Sequence, residues 1–284
     1  MSLLVDFKIP MCYTNVQENF RGVVLKSFIA DFKKHSFLLK YLITKDFKVK
    51  YRRSVLGIAW SVLNPLFMMI IVSLVFSHVF RADIGDYPYP VYLILGQTLF
   101  NFLSESTSSS MQSVIMSASL IKKVYIPKYI FPLHKVTFSF VNFAVSLIAV
   151  VLVMIYFRVH ITPLILLAFL LIALFYFFCL GLGLLLSSLA VFFRDTLHIY
   201  SIFLTAWMYF TPIFYTIDQL PASLKTVMNF NPMYHYVTFF RDCVLFAKMP
   251  SLSQFAFCAG FSLIMMLIGS IAFIKKQDKF ILYI

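Results

Sequence analysis

LILLAFLLIALFYFFCLGLGLLLSSLAVFF, residues 164–193, runs its whole length without a charged side chain. A helix rises about 1.5 Å per residue and the hydrocarbon core of a bilayer is about 30 Å thick, so roughly twenty such residues cross it. This stretch is therefore a membrane span. Working outward, residues 55–80, 136–157 and 252–274 meet the same criterion. Two weaker segments complete the set. Residues 89–114 begin apolar (VYLILGQTLFNFL) and then turn serine-rich, and residues 197–217 (LHIYSIFLTAWMYFTPIFYTI) are apolar with aromatic ends. The expected fold class is an all-α integral membrane protein with six transmembrane helices. A composition of 61% hydrophobic and only 12% charged residues agrees with that reading.

The net charge of +13 invites a nucleic-acid reading until the charges are placed. With the N-terminus inside, the inner segments hold 19 of the 24 Lys and Arg residues, and the outer segments hold only Arg81, Arg158, Lys225, Arg241 and Lys248. Inner loops of membrane proteins carry this excess of positive charge, which places both termini in the cytoplasm and removes the case for nucleic acid. No cleavable signal peptide is expected, because about fifty mostly polar residues precede the first long apolar run. Cys12, Cys179, Cys243 and Cys258 show no metal-ligand or redox spacing, so neither a metal nor a disulfide is expected.

Residues 28–53 wind into an amphipathic helix. Phe32, Leu38, Leu39, Leu42, Ile43, Phe47 and Val49 form one face, and Lys33, Lys34, Lys40, Lys45 and Lys48 the other. Such a helix is expected to lie in the cytoplasmic headgroup layer, either as a basic anchor or as a collar around a pathway. Residues 1–54 are accordingly read as a cytoplasmic N-terminal region, and 55–284 as the transmembrane domain.

The polar segment NFLSESTSSSMQSVIMSAS, residues 101–119, stands out in so apolar a chain. Helical spacing brings Asn101, Glu105, Ser108, Gln112 and Ser119 to one stripe and Ser106, Ser110, Ser113 and Ser117 to another. The first stripe can face water or a polar cargo. The second is a small-residue surface on which a neighbouring helix can approach closely. Glu105 is the expensive member, since an acid within a span marks either a functional site or a buried interhelical hydrogen bond. Trp60, Phe67, Trp207, Tyr209 and Phe210 are candidates for flat surfaces along a pathway, or else aromatics that face lipid.

On the cytoplasmic side, SASLIKKVYIPKYIFPLHK (117–135) is short, basic and broken by Pro127 and Pro132, so SASLIKKV is expected as a two-turn helix outside the membrane. It reads as a topology signal or as an element on which a cytoplasmic motor pushes. Arg194-Asp195 falls at the same boundary, as a pair bonding neighbouring helix ends or a simple cap. Residues 218–250 are too polar to span and are expected to dip into the outer leaflet and return as two short helices broken near Asn231-Pro232, as a gate or an inert cap.

The runs YRRSVLGIAWSVLNPLFMMIIVSLVFSHVF (51–80), NFLSESTSSSMQSVIMSASLIKKVYIPKYIFPL (101–133), FFRDTLHIY (192–200), TPIFY (211–215), LP (220–221), NP (231–232) and Arg241 occur in one order along the chain. In that order and spacing they resemble the membrane subunit of ABC exporters of cell-surface polysaccharides, those handling O-antigen, capsule and teichoic acid. The resemblance implies a multi-pass bacterial inner-membrane permease, two identical subunits forming a channel for a lipid-linked glycan and docking a separate ATPase. It also implies that Leu120, Ile121, Lys122, Lys123, Val124 and Tyr125 couple to that ATPase, and that residues 28–50 form the interfacial helix. By the same resemblance Pro221, Asn231, Pro232 and Arg241 belong to a periplasmic gate.

No phosphate-binding GxxxxGK[ST] motif occurs, so ATP and Mg are expected on the partner and no cofactor on this chain. The six histidines are scattered over both membrane faces, which argues against an enzyme and leaves no catalytic residue to name. A proton-coupled secondary transporter or channel is the alternative, with Glu105 as relay.

Overall fold

Apolar side chains on every face of a segment leave a helix the only backbone arrangement that satisfies its own N–H and C=O groups in lipid. The computed structural model describes residues 23–78, 87–124, 126–160 and 162–284, with side chains from residue 36 onward, and it is helical throughout, with no strand among the described residues. The helices are α1 (Val23–Tyr51), α2 (Trp60–His78), α3 (Tyr89–Met116), α4 (Ala118–Lys123), α5 (Ile130–Tyr156), α6 (Ile165–Phe192), α7 (Thr196–Phe210), α8 (Ala222–Met228), α9 (Pro232–Val244), α10 (Leu252–Lys276) and α11 (Phe280–Tyr283). Cys12, Arg81 and Tyr125 lie outside the described residues.

Among the described residues, four stretches are long and apolar enough to cross a bilayer: α2 with the turn before it, α5, α6, and α10 continuing into α11. The remaining two expected spans are the two that looked weaker in sequence. The 28 residues of α3 suffice in length, but their serine-rich second half is polar. Expected to run from 197 to 217, α7 stops at Phe210 after 15 residues, about 22 Å of helix. Pro212 explains the stop, since it holds Thr211 in extended conformation (φ −80°, ψ 135°) and offers no N–H to continue the ladder.

The bundle is built around α3 and α6. α3 packs on α5 and α6, and α6 packs along α10. Two glycines let α6 and α10 come into backbone contact. A methyl group on Gly269 would overlap the Gly181 carbonyl, and one on Gly181 would overlap the backbone of Met265. Small residues at a helix crossing are the general means of close approach inside a membrane. Phe102 of α3 meets Phe143 of α5 at a tilt and Phe175 of α6 edge-on where the three helices come together.

The amphipathic helix is present, with Leu42 buried, Leu38, Leu39, Ile43 and Phe47 half-buried, and Lys40, Lys45 and Lys48 exposed. Val49, expected on the apolar face, is 65% exposed. The last two turns of α1 lie lengthwise on α5. Asp46 accepts Lys135 Nζ at 2.6 Å, the Phe47 ring meets Phe138 edge-on at 4.7 Å, and Tyr51 reaches Asn142. These contacts step along successive turns of α5, so this part of α1 is seated in the bundle instead of lying apart from it.

Candidate functional site

The serine segment resolves into its two stripes. Ser106, Ser110 and Ser113 are fully buried. Ser110 lies against Gly183 of α6, where an added methyl group would stand 2.6 Å from its hydroxyl. Many of the hydroxyls return to their own helix: Ser106 and Thr107 donate to the Leu103 carbonyl and Ser113 to that of Ser110. That local bonding lets a polar sequence pack against an apolar neighbour. On the opposite stripe Asn101 is exposed, and Glu105, Ser108 and Gln112 are half-buried.

Asn101 and Glu105 open into a cavity of about 420 Å³ that Lys50, Trp60, Asn64 and Asn142 also line. Lys50 Nζ donates to Glu105 Oε1 at 2.7 Å, and Asn142 Nδ2 donates to the same oxygen at 3.3 Å. Tyr51 and Ser61 share a hydrogen bond beside them. The carboxylate thus ties the end of α1 to the middle of α3. Both side chains of the pair are about two-fifths exposed, so the bond can open without stranding a charge in an apolar interior. Amides, hydroxyls, an ion pair and one indole line this single opening, a set able to bind a hydroxyl-rich chain.

Ser108 and Gln112 continue the face below the cavity without lining it, and Tyr209 stands apart on α7 at 62% exposure. Trp207 is half-buried on α7. Its indole N–H donates to Asn231 Oδ1 at 2.8 Å, which makes it a joint between α7 and the start of α9. Lys50, Tyr51, Asn64 and Asn142 were not singled out from sequence. The two asparagines carried a legible signal, being amides inside long apolar runs.

At one end of the bundle α4 follows α3 after a single turn residue. Ile121 is buried and Leu120 half-buried, while Lys122, Lys123 and Val124 project outward. Beside it, Lys128 Nζ donates to the Gln277 carbonyl at 2.6 Å, and Phe280 and Tyr283 of α11 pack on Phe192 of α6. Lys122, Lys123, Lys128, Lys275, Lys276 and Lys279 therefore gather at this end. Arg194 and Asp195, at the α6–α7 junction, are both exposed, and the Asp195 side chain makes no cap bond.

At the other end, residues 218–250 form the two short helices α8 and α9, joined through Asn231. Pro221 precedes α8 in extended conformation, and Pro232 opens α9 in the first-turn position that tolerates proline. Asn231 caps α9 by accepting Met233 N–H at 3.0 Å, and its amide donates to Thr211 at 3.1 Å. Arg241 is buried at 3% exposure, with its guanidinium carbon 3.3 Å from the centre of the Tyr92 ring. It donates to the carbonyls of Tyr92, Pro212 and Ile213. These bonds, with Tyr89 and Tyr92 hydroxyls donating to Phe214 and Tyr215 carbonyls, hold the unwound 211–215 segment inside the protein. Pro221, Asn231, Pro232 and Arg241 are thus parts of the joint between α3, α7 and α9.

Among the described residues no group of three or more His, Cys, Asp or Glu side chains is placed to hold a metal, and Cys179, Cys243 and Cys258 are free and buried.

Residues 38–245 match the model of the ABC-2 type transporter family. The chain is 30% identical over 212 residues to an O-antigen export system permease protein RfbA of Klebsiella pneumoniae, an overlap covering 72% of this chain and 79% of that one. It is 27% identical over 251 residues to the O-antigen export system permease protein RfbA of Myxococcus xanthus, covering 86% of this chain and 94% of its relative.

Proposed function

Because this chain belongs to the ABC-2 type transporter family, we propose that it is the permease subunit of an ATP-driven exporter that carries a lipid-linked cell-surface polysaccharide across the cytoplasmic membrane of a bacterium. The observation that carries the reading is the Asn101–Glu105 face and its cavity, a polar surface in the midst of an apolar bundle. Relatives that export O-antigen make O-antigen the first choice of cargo, ahead of capsule or teichoic acid. α3 and α7 then complete six spans, α3 turning its polar stripe toward the pathway and α7 meeting protein instead of lipid. The lysine-rich end carrying α4 faces the cytoplasm. A second copy of the chain closes the pathway opposite α3, and a separate ATPase docks on Leu120–Tyr125. ATP and Mg belong to that partner.

A proton-coupled carrier is less well supported, because the family that matches is the ABC-2 type transporter and the relatives are named O-antigen export permeases.

Deleting the gene and restoring it on a plasmid tests the reading. Surface polymer is expected to vanish and return with this chain, and normal polymer in the deletion strain refutes the assignment. In the complex, Lys122→Glu with Lys123→Glu is expected to cut export at least tenfold while ATP hydrolysis and membrane insertion persist, measured by surface polymer, phosphate release and immunoblot. Unchanged export reduces α4 to a topology signal.

The two stripes of α3 separate in the same assay. Leu at Ser108 or Gln112 is expected to lower surface polymer at normal protein level. Leu at Ser106 or Ser110 is expected to lower the level itself severalfold, because overpacking a buried contact costs about 1–3 kcal/mol. One phenotype for both stripes contradicts the assignment of the pathway face.

A further inference from the structure

The helix α4 is only six residues long. Isolated helices shorter than about 12–15 residues are marginal in water, so α4 needs support from its neighbours. It rests on α3, which leads into it through Ser117, and on α11, which lies far along the chain. Ile121 is its buried side chain. The segment that follows α4 is tied to the same neighbourhood, because Lys128 Nζ donates at 2.6 Å to the carbonyl of Gln277, in the turn that joins α10 to α11.

α11 is in turn fixed to the centre of the bundle. Phe280 is fully buried, with its ring edge-on to Phe273 of α10 at 5.2 Å and to Phe192 of α6 at 5.9 Å. The Tyr283 ring meets Phe192 at 4.8 Å, and Lys276 Nζ stands 5.6 Å from the centre of that same ring. Phe192 is the last residue of α6, so α10 and α11 converge on the end of that helix. Farther along, α6 and α10 are in backbone contact at Gly181 and Gly269, which makes them move as a pair. Close-packed interiors have little compressible space, and chains of packed rings and rigid helices pass displacement along. A push on α4 therefore has two routes into the bundle, one along α3 and one through α11 into α6 and α10.

We propose that α11 and Lys128 form a strut that positions α4, so that the stroke of a docked ATPase moves the α6–α10 pair together with α3. The proposal rests on the reading that α4 docks an ATPase. Tyr283 and Lys128 are positioning residues in this scheme and touch neither the glycan nor the site of hydrolysis. Without the strut, α4 is held through α3 alone, and a stroke tilts the short helix instead of shifting the bundle.

Sealed inverted vesicles bearing the full-length chain with its ATPase test the strut, with glycan entering the lumen and phosphate released measured together. Tyr283→Ala combined with Lys128→Met removes a ring that is 52% exposed and a single donor, and leaves Phe280 seated. Glycan moved per ATP hydrolysed is expected to fall at least fivefold, with the ATPase still retained in a pull-down. Tyr283→Phe with Lys128→Arg keeps ring and donor and is expected to keep the wild-type ratio. Lys128→Met alone is expected to lower the ratio at least twofold, which provides a reading if the double variant is lost from the membrane. An unchanged ratio overturns the proposal even where the amount of chain falls, because a contact that only stabilises changes the number of complexes and not the yield of each. An equal loss in the Phe and Arg variant, or loss of the ATPase from the pull-down of the Ala and Met variant, also overturns it. A wild-type chain that retains no ATPase at all removes the docking premise instead, and the proposal falls with it.

Discussion

Gly269→Leu is expected to lower the chain in the membrane fraction at least tenfold, a larger loss than a leucine at any serine of α3. At this crossing the α10 backbone lies on the Gly181 carbonyl of α6, so even a methyl group has nowhere to go. What yields must be backbone, and separating two helices that pack along their lengths strips contacts on both sides of the crossing. Ordinary overpacking costs about 1–3 kcal/mol when side chains can move aside, and here they cannot. Gly260, on the same helix, is the control. A Cβ there meets nothing within 4 Å, so Gly260→Ala is expected to leave the level unchanged. Immunoblots of membrane fractions and detergent melting curves read both, and normal levels of Gly269→Leu contradict the packing described for α6 and α10.

The second large effect belongs to Arg241. Its Nε and Nη2 bond the Tyr92 carbonyl, Nη1 the Pro212 carbonyl, and Nη2 also that of Ile213. Arg241→Ala strips its hydrogen bonds from those buried carbonyls, leaving Pro212 only the long 3.4 Å bond from the Tyr92 hydroxyl, at about 1–3 kcal/mol for a group left stranded, and removes the cation from the Tyr92 ring. Export below a tenth of wild type is expected, with a destabilised chain. Arg241→Lys is expected to rescue little, because one ammonium cannot reproduce the flat fork that reaches two chain segments at once. A lysine variant that exports normally shows that only the charge is needed there, and the joint is then misassigned. Comparing melting temperature with surface polymer for both variants separates the loss of the joint from the loss of transport.

The helical class, the long spans and the amphipathic helix were legible because each rests on a local pattern. Run length reports a span, and the 3.6-residue period reports a face. The division of residues 101–119 into a buried serine stripe and an open polar stripe followed from the same period. What local pattern does not carry is partnership. Nothing in the sequence around Lys50 says that it reaches Glu105, 55 positions away, or that Tyr51 meets Asn142. Gly181 and Gly269 were each visible as small residues in apolar spans, yet their meeting depends on how α6 and α10 cross. Pro212 was likewise in view within TPIFY, and the shortening of α7 follows from it. A window of hydropathy averages over such a break. Arg241 reads in sequence as a charge on an outer hairpin, and only the fold shows it enclosed by carbonyls from α3 and from the turn after α7.

Transport into sealed inverted vesicles bearing this chain together with its ATPase tests the central claim most directly. Lipid-linked glycan added outside, on the exposed cytoplasmic face, is followed into the lumen with ATP or with an imposed proton gradient alone. The account predicts uptake that requires ATP and hydrolysis by the partner and that persists when a protonophore collapses the gradient. Uptake driven by the gradient without ATP, and abolished by Glu105→Gln, contradicts it and makes the chain a proton-coupled carrier.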